Sequence, residues 1–457
     1  MPDDTKHPNQ GHAAGEALAQ QAMELALSLG ADHAAASVSK VREVEVAWRD
    51  GQLERITEAT SRGLSIELYV DGRYGGVATS DLRPAVLRPF LADAIEMTRA
   101  LTPDPYRRLL EPELYVDKAL SLDPDAMGLE LFDKSYDGLT AAERREVAEA
   151  LEVAARSVPG ADKILSVTTG VSDAYSDVYR CDSQGFAGRR SSTAFWRTCE
   201  VSVQDPDGRR PEESAYAGAR HRSDLRPAAE VGQEAAERTL ARIGASKPAT
   251  AKVQLLVDAK AAGRLVGSLM GPLSGGALQQ KRSFYDGKEG IVLGNDLLDF
   301  ADNPFVVRGL GSRVWDGEGM AARPMQVFAK GQQKGLYIDP YYGRKLGRAP
   351  TSRGAANLQW TLGQGDVHSL AAQVGEGILV TGFLGGNSNG TTGDFSFGIQ
   401  GYAITGGKIA APLAEMNLAG NHLTFWQQLA AVGNDPYRYS AMGTPTLLFE
   451  GVTIAGS

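Results

Sequence analysis

Residues 38–79 read VSKVREVEVAWRDGQLERITEATSRGLSIELYVDGRYGGVAT, and this stretch decides the fold of the first part of the chain. Val44, Val46 and Trp48 alternate with Glu43, Glu45 and Ala47, the period of a strand with one buried face. Asp50-Gly51 is a hairpin turn signal, 64–69 reads as the next strand, and Asp71-Gly72 is a second turn signal. With 75–79 as a last strand, the segment is an antiparallel meander. Upstream, residues 13–29 carry Leu18, Ala22, Leu25 and Leu29 at helical spacing, and Gly30 stops the helix. Downstream, 83–101 returns to helical period until Pro103 and Pro105 end it.

A second unit opens with Thr140-Ala141-Ala142-Glu143, a capping box that predicts a helix to about Val158, ended by Pro159-Gly160. Strands are expected at 164–171, 177–181 and 190–204, with turns at 182–185 and 205–208, and a helix over 227–243. In the third unit, 253–257 reads as a buried strand and 261–270 as a helix. Beyond Pro272 short β runs separated by glycine follow at 326–329, 335–338, 377–383, 395–405 and 447–454, interrupted by one amphipathic helix at 424–432. The predicted fold class is α+β. A disordered tail (1–12) precedes an N-terminal α/β unit (13–105), a middle α+β unit (106–246) and a C-terminal, mainly antiparallel, barrel-like β body (247–457).

The 457 residues suit about three such units, and 42% apolar with 23% charged residues is an ordinary globular composition. Net charge −9 disfavours nucleic acid as a main partner. No run of about 18 apolar residues is present to span a membrane, and residues 1–15 lack the apolar core of a secretory signal. A cytoplasmic location is therefore expected, and with it two free thiols at Cys181 and Cys199.

Six histidines, His7, His12, His33, His221, His368 and His422, include no i, i+4 pair, so the helical zinc motif H-E-x-x-H is missing. Residues 386–390, GNSNG, match G-x-S-x-G, but TTGDFSF follows where a nucleophile elbow needs a helix. A glycine-rich β-turn is the expectation there, with His422 the only later histidine to serve Ser388 as a base. Gly309-Leu310-Gly311 lacks the third glycine of a dinucleotide fingerprint. Lys330, Lys334, Arg344, Lys345 and Arg348, interleaved with tyrosines, read either as a grip for an acidic peptide or phosphate or as a solvated loop. Asp316, Glu318, Asp366 and Glu376 stand singly near glycines, where turn chemistry explains them as well as catalysis does.

The order of several segments resembles the TldD/PmbA family, once called modulators of DNA gyrase and regarded as zinc-peptidase components. They are GLSIELYVDGRYGG (63–76), SGGALQQKRSF (274–284), RKLG (344–347), TTGDFSFG (391–398), AGN (419–421), VGND (432–435) and IAG (454–456). In that family the TldD branch carries an H-E-x-x-x-H helix and a later cysteine that complete a zinc site. The corresponding stretches here are LVGSLMGPL (265–273) and SAMGT (440–444), without histidine, glutamate or cysteine. The chain therefore resembles the PmbA (TldE) branch. The resemblance implies a non-catalytic subunit, without zinc of its own, that pairs with a TldD-like metallopeptidase subunit or with itself and takes part in proteolysis of unfolded or extended peptides. It implies no catalytic residue and no metal ligand in this chain; Asn387, Ser388 and Asp394 are the peptide-groove candidates. An independent homodimeric peptide-binding or regulatory protein, and a hydrolase working through Ser388 and His422, are the alternatives. The C-terminal aromatics Trp315, Tyr337, Tyr341, Tyr342, Trp360, Phe383, Phe425 and Trp426 are candidates for an interface or for core.

Overall fold

The computed structural model describes residues 8–123 and 125–456, with side chains from Ala13 onward. The tail expected at 1–12, with His7 and the His12 side chain, lies outside what is described, except that the backbone is helical from Pro8. Helix α1 (Pro8–Ser28) leads into strands β1 (His33–Arg49), β2 (Gln52–Val70) and β3 (Arg73–Thr79) and helix α2 (Pro84–Arg99). A short helix α3 (Lys118–Leu122) precedes α4 (Ala141–Arg156), β4 (Ile164–Asp182), β5 (Ala187–Val203), β6 (Glu212–Ala219) and α5 (Ala228–Leu240). Thr140 and Glu143 form the expected capping box at the start of α4.

These strands make one antiparallel sheet in the order β3-β2-β1-β4-β5-β6. The units expected at 13–105 and 106–246 contribute three strands each, joined where β1 runs along β4 from Ala35↔Asp182 to Arg49↔Thr168. Helices α1 and α2 cover Leu64, Ile66 and Leu68 of β2, whereas α4 and α5 cover Val167, Cys199 and Val201. Two strands were expected across 164–181, and β4 is instead continuous. Asp173, in the gap between the two expected strands, is neutralised in place by Arg144 of α4, whose Nε and Nη2 donate to its carboxylate at 2.5 and 2.9 Å with both side chains buried. Cys181 and Cys199 are buried free thiols far apart along neighbouring strands.

The C-terminal part contains β7 (Ala251–Val257), α6 (Ala259–Met270), α7 (Gly275–Gln279), β8 (Phe300–Asp302), β9 (Met325–Ala329) and β10 (Gln332–Gln333). Then come α8 (Pro340–Leu346), β11 (Leu358–Trp360), α9 (Val367–Val374), β12 (Gly377–Ser388), β13 (Asp394–Thr405), β14 (Lys408–Asn421), α10 (His422–Phe425), β15 (Leu429–Val432) and β16 (Leu447–Ala455). Strands β14, β13, β12, β7 and β16 follow one another, and pairing of β14 with β16 closes them into a barrel. Neighbours are antiparallel except β7 with β12, whose polypeptide crossover forces a parallel pair. Successive β7 residues serve two cores: Leu255 and Val257 pack with α6, Leu256 with α9.

Two expectations for this part fail. The helix expected at 424–432 shortens to α10 and a 3₁₀ turn at Trp426–Gln428, because Leu429–Val432 pairs with β16, and that sheet pairing overrides a helical apolar spacing. The run 335–338 makes only an isolated bridge from Tyr337 to Ser274.

Candidate functional site

Helix α6 is capped by Asp258, whose side chain accepts the Lys260 amide at 2.8 Å, and is anchored in the barrel core by Leu265, Val266 and Leu269. Its outward face carries Gly263, Arg264, Gly267, Ser268 and Gly271. A Cβ built at Gly267 or Gly271 meets nothing within 4 Å, so the helix backbone itself is the surface here. The segment 440–444 returns beside the first turn of α6, where the Thr444 hydroxyl donates to the Ala259 carbonyl at 2.9 Å. The two stretches that the family resemblance sets against a zinc helix and its later cysteine are thus neighbours in space. Their side chains are aliphatic, hydroxyl or thioether, and Thr444 is already engaged, so this donor set does not fit a zinc ion. Among the described residues no group of three His, Cys, Asp or Glu side chains is gathered to hold a metal.

Strand β12 rises beside this face. Only Ile378, Leu379 and Val380 pair with β7; from Gly382 to Ser388 the strand has β13 on one side, and no strand pairs with its other edge among the described residues. The Arg264 guanidinium reaches across from α6 to the Gly386 carbonyl at 3.3 Å. Gly386 has φ +96°, and a Cβ there would meet the Ser396 carbonyl oxygen at 2.1 Å, so the strand keeps its place against β13 only with glycine. Leu384, Gly385, Gly386 and Asn387 are all exposed.

The three groove candidates gather at the far end of the β12–β13 hairpin, with Asn387 opposite Ser396 and Ser388 opposite Phe395. Ser388 is the last residue of β12 rather than part of the expected turn, which lies at 389–393. Asp394 accepts the Thr392 hydroxyl and the Asn421 amide at 2.7 Å each, hydrogen bonds that hold its exposed carboxyl below the usual range.

Ser388 Oγ lies 3.1 Å from His422 Nε2, the approach a serine hydrolase would need. The ring's other nitrogen, Nδ1, accepts the Trp426 indole N–H at 3.2 Å. An indole nitrogen only donates, so the ring proton sits on Nε2 and is donated to Ser388. A base for Ser388 needs the opposite tautomer. His422 is fully buried between Phe284 and Phe395, and burial lowers its pKa to about 4. The pair is a core hydrogen bond.

The other sequence candidates resolve into structural roles. Arg344 of α8 donates to Glu111 and to the carbonyls of Tyr106, Arg108 and Leu109, Lys345 approaches Asp104 at 3.9 Å, and Arg348 pairs with Glu289. Arg344 and Lys345 of the basic cluster therefore clamp the segment between α2 and α3. Asp366 caps α9, and Asp316 takes the amides of Glu318 and Met320 in a turn. Glu318 departs from the turn reading: burial, then the carboxylates of Asp316, Glu67 and Asp339, push its pKa up to about 7. Of the aromatics, Trp315, Tyr337, Trp360, Phe425 and Trp426 are buried core, so they are not available to an interface. What the sequence reading missed is the open edge of β12 and the bare face of α6; the spacing Gly263, Gly267, Gly271 was the legible signal.

The family models for the PmbA/TldA metallopeptidase domain 1, central domain and C-terminal domain match residues 34–98, 134–243 and 250–456. The metalloprotease PmbA of Escherichia coli O157:H7 is 29% identical over 96% of each chain. A solved Bacteroides thetaiotaomicron structure described as a modulator of DNA gyrase is 36% identical, with TM-score 0.92, over 96% of this chain and 98% of that one. TldE from Thermococcus kodakarensis shares the fold with TM-score 0.81 at 19% identity, over 96% of this chain and 100% of its own. With all three of its domains matched in order, this chain belongs to the PmbA/TldD metallopeptidase family.

Proposed function

We propose that this chain is a non-catalytic subunit of a TldD-type metallopeptidase complex and forms one wall of the cavity in which unfolded or extended peptides are cleaved. The observation that carries the reading is the contact of α6 with residues 440–444: the two stretches that the family resemblance sets against a zinc helix and its later cysteine meet here and carry no histidine, glutamate or cysteine. The bare glycine face of α6 and the edge of β12 from Gly382 to Ser388, which has no strand partner among the described residues, lie side by side, the arrangement for adding a peptide as a further strand. A second open edge suits the partner. The outer half of β2, residues 52–61, is exposed and among the described residues has β1 as its only strand neighbour, carrying Leu53 and Ile56 among charges. The hydrolase alternative is opposed by the tautomer of His422.

The test is reconstitution. The purified chain is expected to hold no stoichiometric zinc by mass spectrometry and to leave an unfolded peptide intact. Mixed with a TldD-like chain carrying H-E-x-x-x-H, it is expected to associate and to give chelator-sensitive cleavage, which Gly267→Trp should weaken by filling the open face of α6. Stoichiometric zinc with chelator-sensitive cleavage by this chain alone would overturn the proposal. So would a 48.6 kDa monomer that persists beside the TldD-like chain. A homodimer that binds peptide without such a partner would support the independent peptide-binding alternative.

A further inference from the structure

Between the β4–β5 strand pair and the C-terminal loop 310–315 lies a cavity of about 220 Å³, room for roughly seven waters. No aspartate or glutamate lines it, whereas Arg189, Arg190, Arg220 and Arg313 do. The register sorts these arginines. Ser176 is opposite Ser192 and Val178 opposite Arg190, so the two serines and Arg190 share one sheet face. Arg189 and Ser191 belong to the other face, where both bond Asp177.

Arg220 and Arg313 are held by backbone carbonyls. Arg220 donates to Leu310 at 2.6 Å and to Thr193 at 3.2 Å, and Arg313 to Gly354 at 2.5 Å and to Gly311 and Ala355 at 3.2 Å. Arg190 has no such acceptor. Its guanidinium lies 4.4 Å over the Trp315 ring, and it makes no hydrogen bond or ion pair to any described residue. Desolvation lowers its pKa, as it does that of Arg220; the through-space attraction of Asp316 works against this and the like charges of Arg313 and Arg180 add to it. The Arg190 side chain is half-buried, its guanidinium has no acceptor among the described residues, and its planar fork matches an oxyanion. Two serine hydroxyls beside it add donors at the spacing of one strand pair.

We propose that this cavity binds a phosphoryl-class oxyanion, either free phosphate or the phosphate end of a small metabolite, held by Arg190 with Ser176, Ser192 and Arg220. The occupant ties loop 310–315, which Arg220 already grips, to β4 and β5, and so couples the middle sheet to the C-terminal part. The site does not depend on the peptidase reading.

The experiment is calorimetric titration of the full chain, in chloride buffer, with inorganic phosphate and with glycerol 3-phosphate, backed by thermal unfolding. Saturable binding of either is expected, at one site, with a rise in Tm. Tighter binding of the ester points to a metabolite, and tighter binding of the free ion to phosphate itself; both support the site. Arg190→Gln should weaken binding about tenfold or more, the effect of losing a charge-assisted hydrogen bond. Should Arg190→Gln fail to fold, the Ser176→Ala, Ser192→Ala double variant tests the same site and should also weaken binding. No saturable binding overturns the proposal. So does binding that these variants leave unchanged, or saturation by acetate-capped peptide carboxylates and not by phosphate.

Discussion

Ser388 Oγ and His422 Nε2 are 3.1 Å apart, and the proton between them belongs to the histidine. Trp426 fixes that assignment from the far side of the ring. A G-x-S-x-G motif and a histidine within hydrogen-bond distance are therefore compatible with a purely structural pair.

Ser388→Ala should leave any peptidase activity of the reconstituted complex within a factor of about three, whereas loss of a true nucleophile costs orders of magnitude. A fluorophosphonate probe should leave Ser388 unlabelled. Covalent labelling of that residue would contradict the tautomer argument.

His422 should remain neutral in the folded protein well below the range of an ordinary histidine. Its folded pKa, about 4, lies below the usual 6.5, so the folded state binds fewer protons in that window. The stability contributed by the neutral ring is complete above 6.5 and is lost as pH falls through 4, up to about 3 kcal/mol in all. Ring carbon and nitrogen NMR shifts of His422 followed down to pH 4 check this.

Glu318 has the opposite sign. Its folded pKa of about 7 is raised above the ordinary 4.5, so its favourable contribution is complete below 4.5 and is lost as pH rises through 7. Glu318→Gln, which stays neutral, should raise Tm relative to the parent at about pH 8 and lose that advantage in acid. Thermal scans across this range decide it; an advantage independent of pH would refute the assignment.

Breaking the buried Arg144–Asp173 pair from either side should cost about 3–5 kcal/mol, because one charge is left without its partner. Arg144→Met with Asp173→Leu together should cost clearly less than the sum. Chemical denaturation of the four proteins in the cycle measures the coupling.

The sequence by itself determined most of what depends on neighbours along the chain. Alternation at Val44, Val46 and Trp48 with Asp50-Gly51 gave the β1–β2 hairpin, and Thr140 with Glu143 gave the start of α4, since both signals act within a few residues. That residues 265–273 and 440–444 carry no histidine, glutamate or cysteine was equally legible, because residue type is read directly from the sequence. Only the tertiary structure decided the rest. That β1 joins β4 into one sheet, that Leu429–Val432 is a strand and that 164–182 is unbroken all depend on partners distant in sequence. His422 shows the limit most clearly. Its residue type allowed a base, but its proton is placed by Trp426 and its charge is suppressed by burial between Phe284 and Phe395, and neither burial nor tautomer is a property of local sequence.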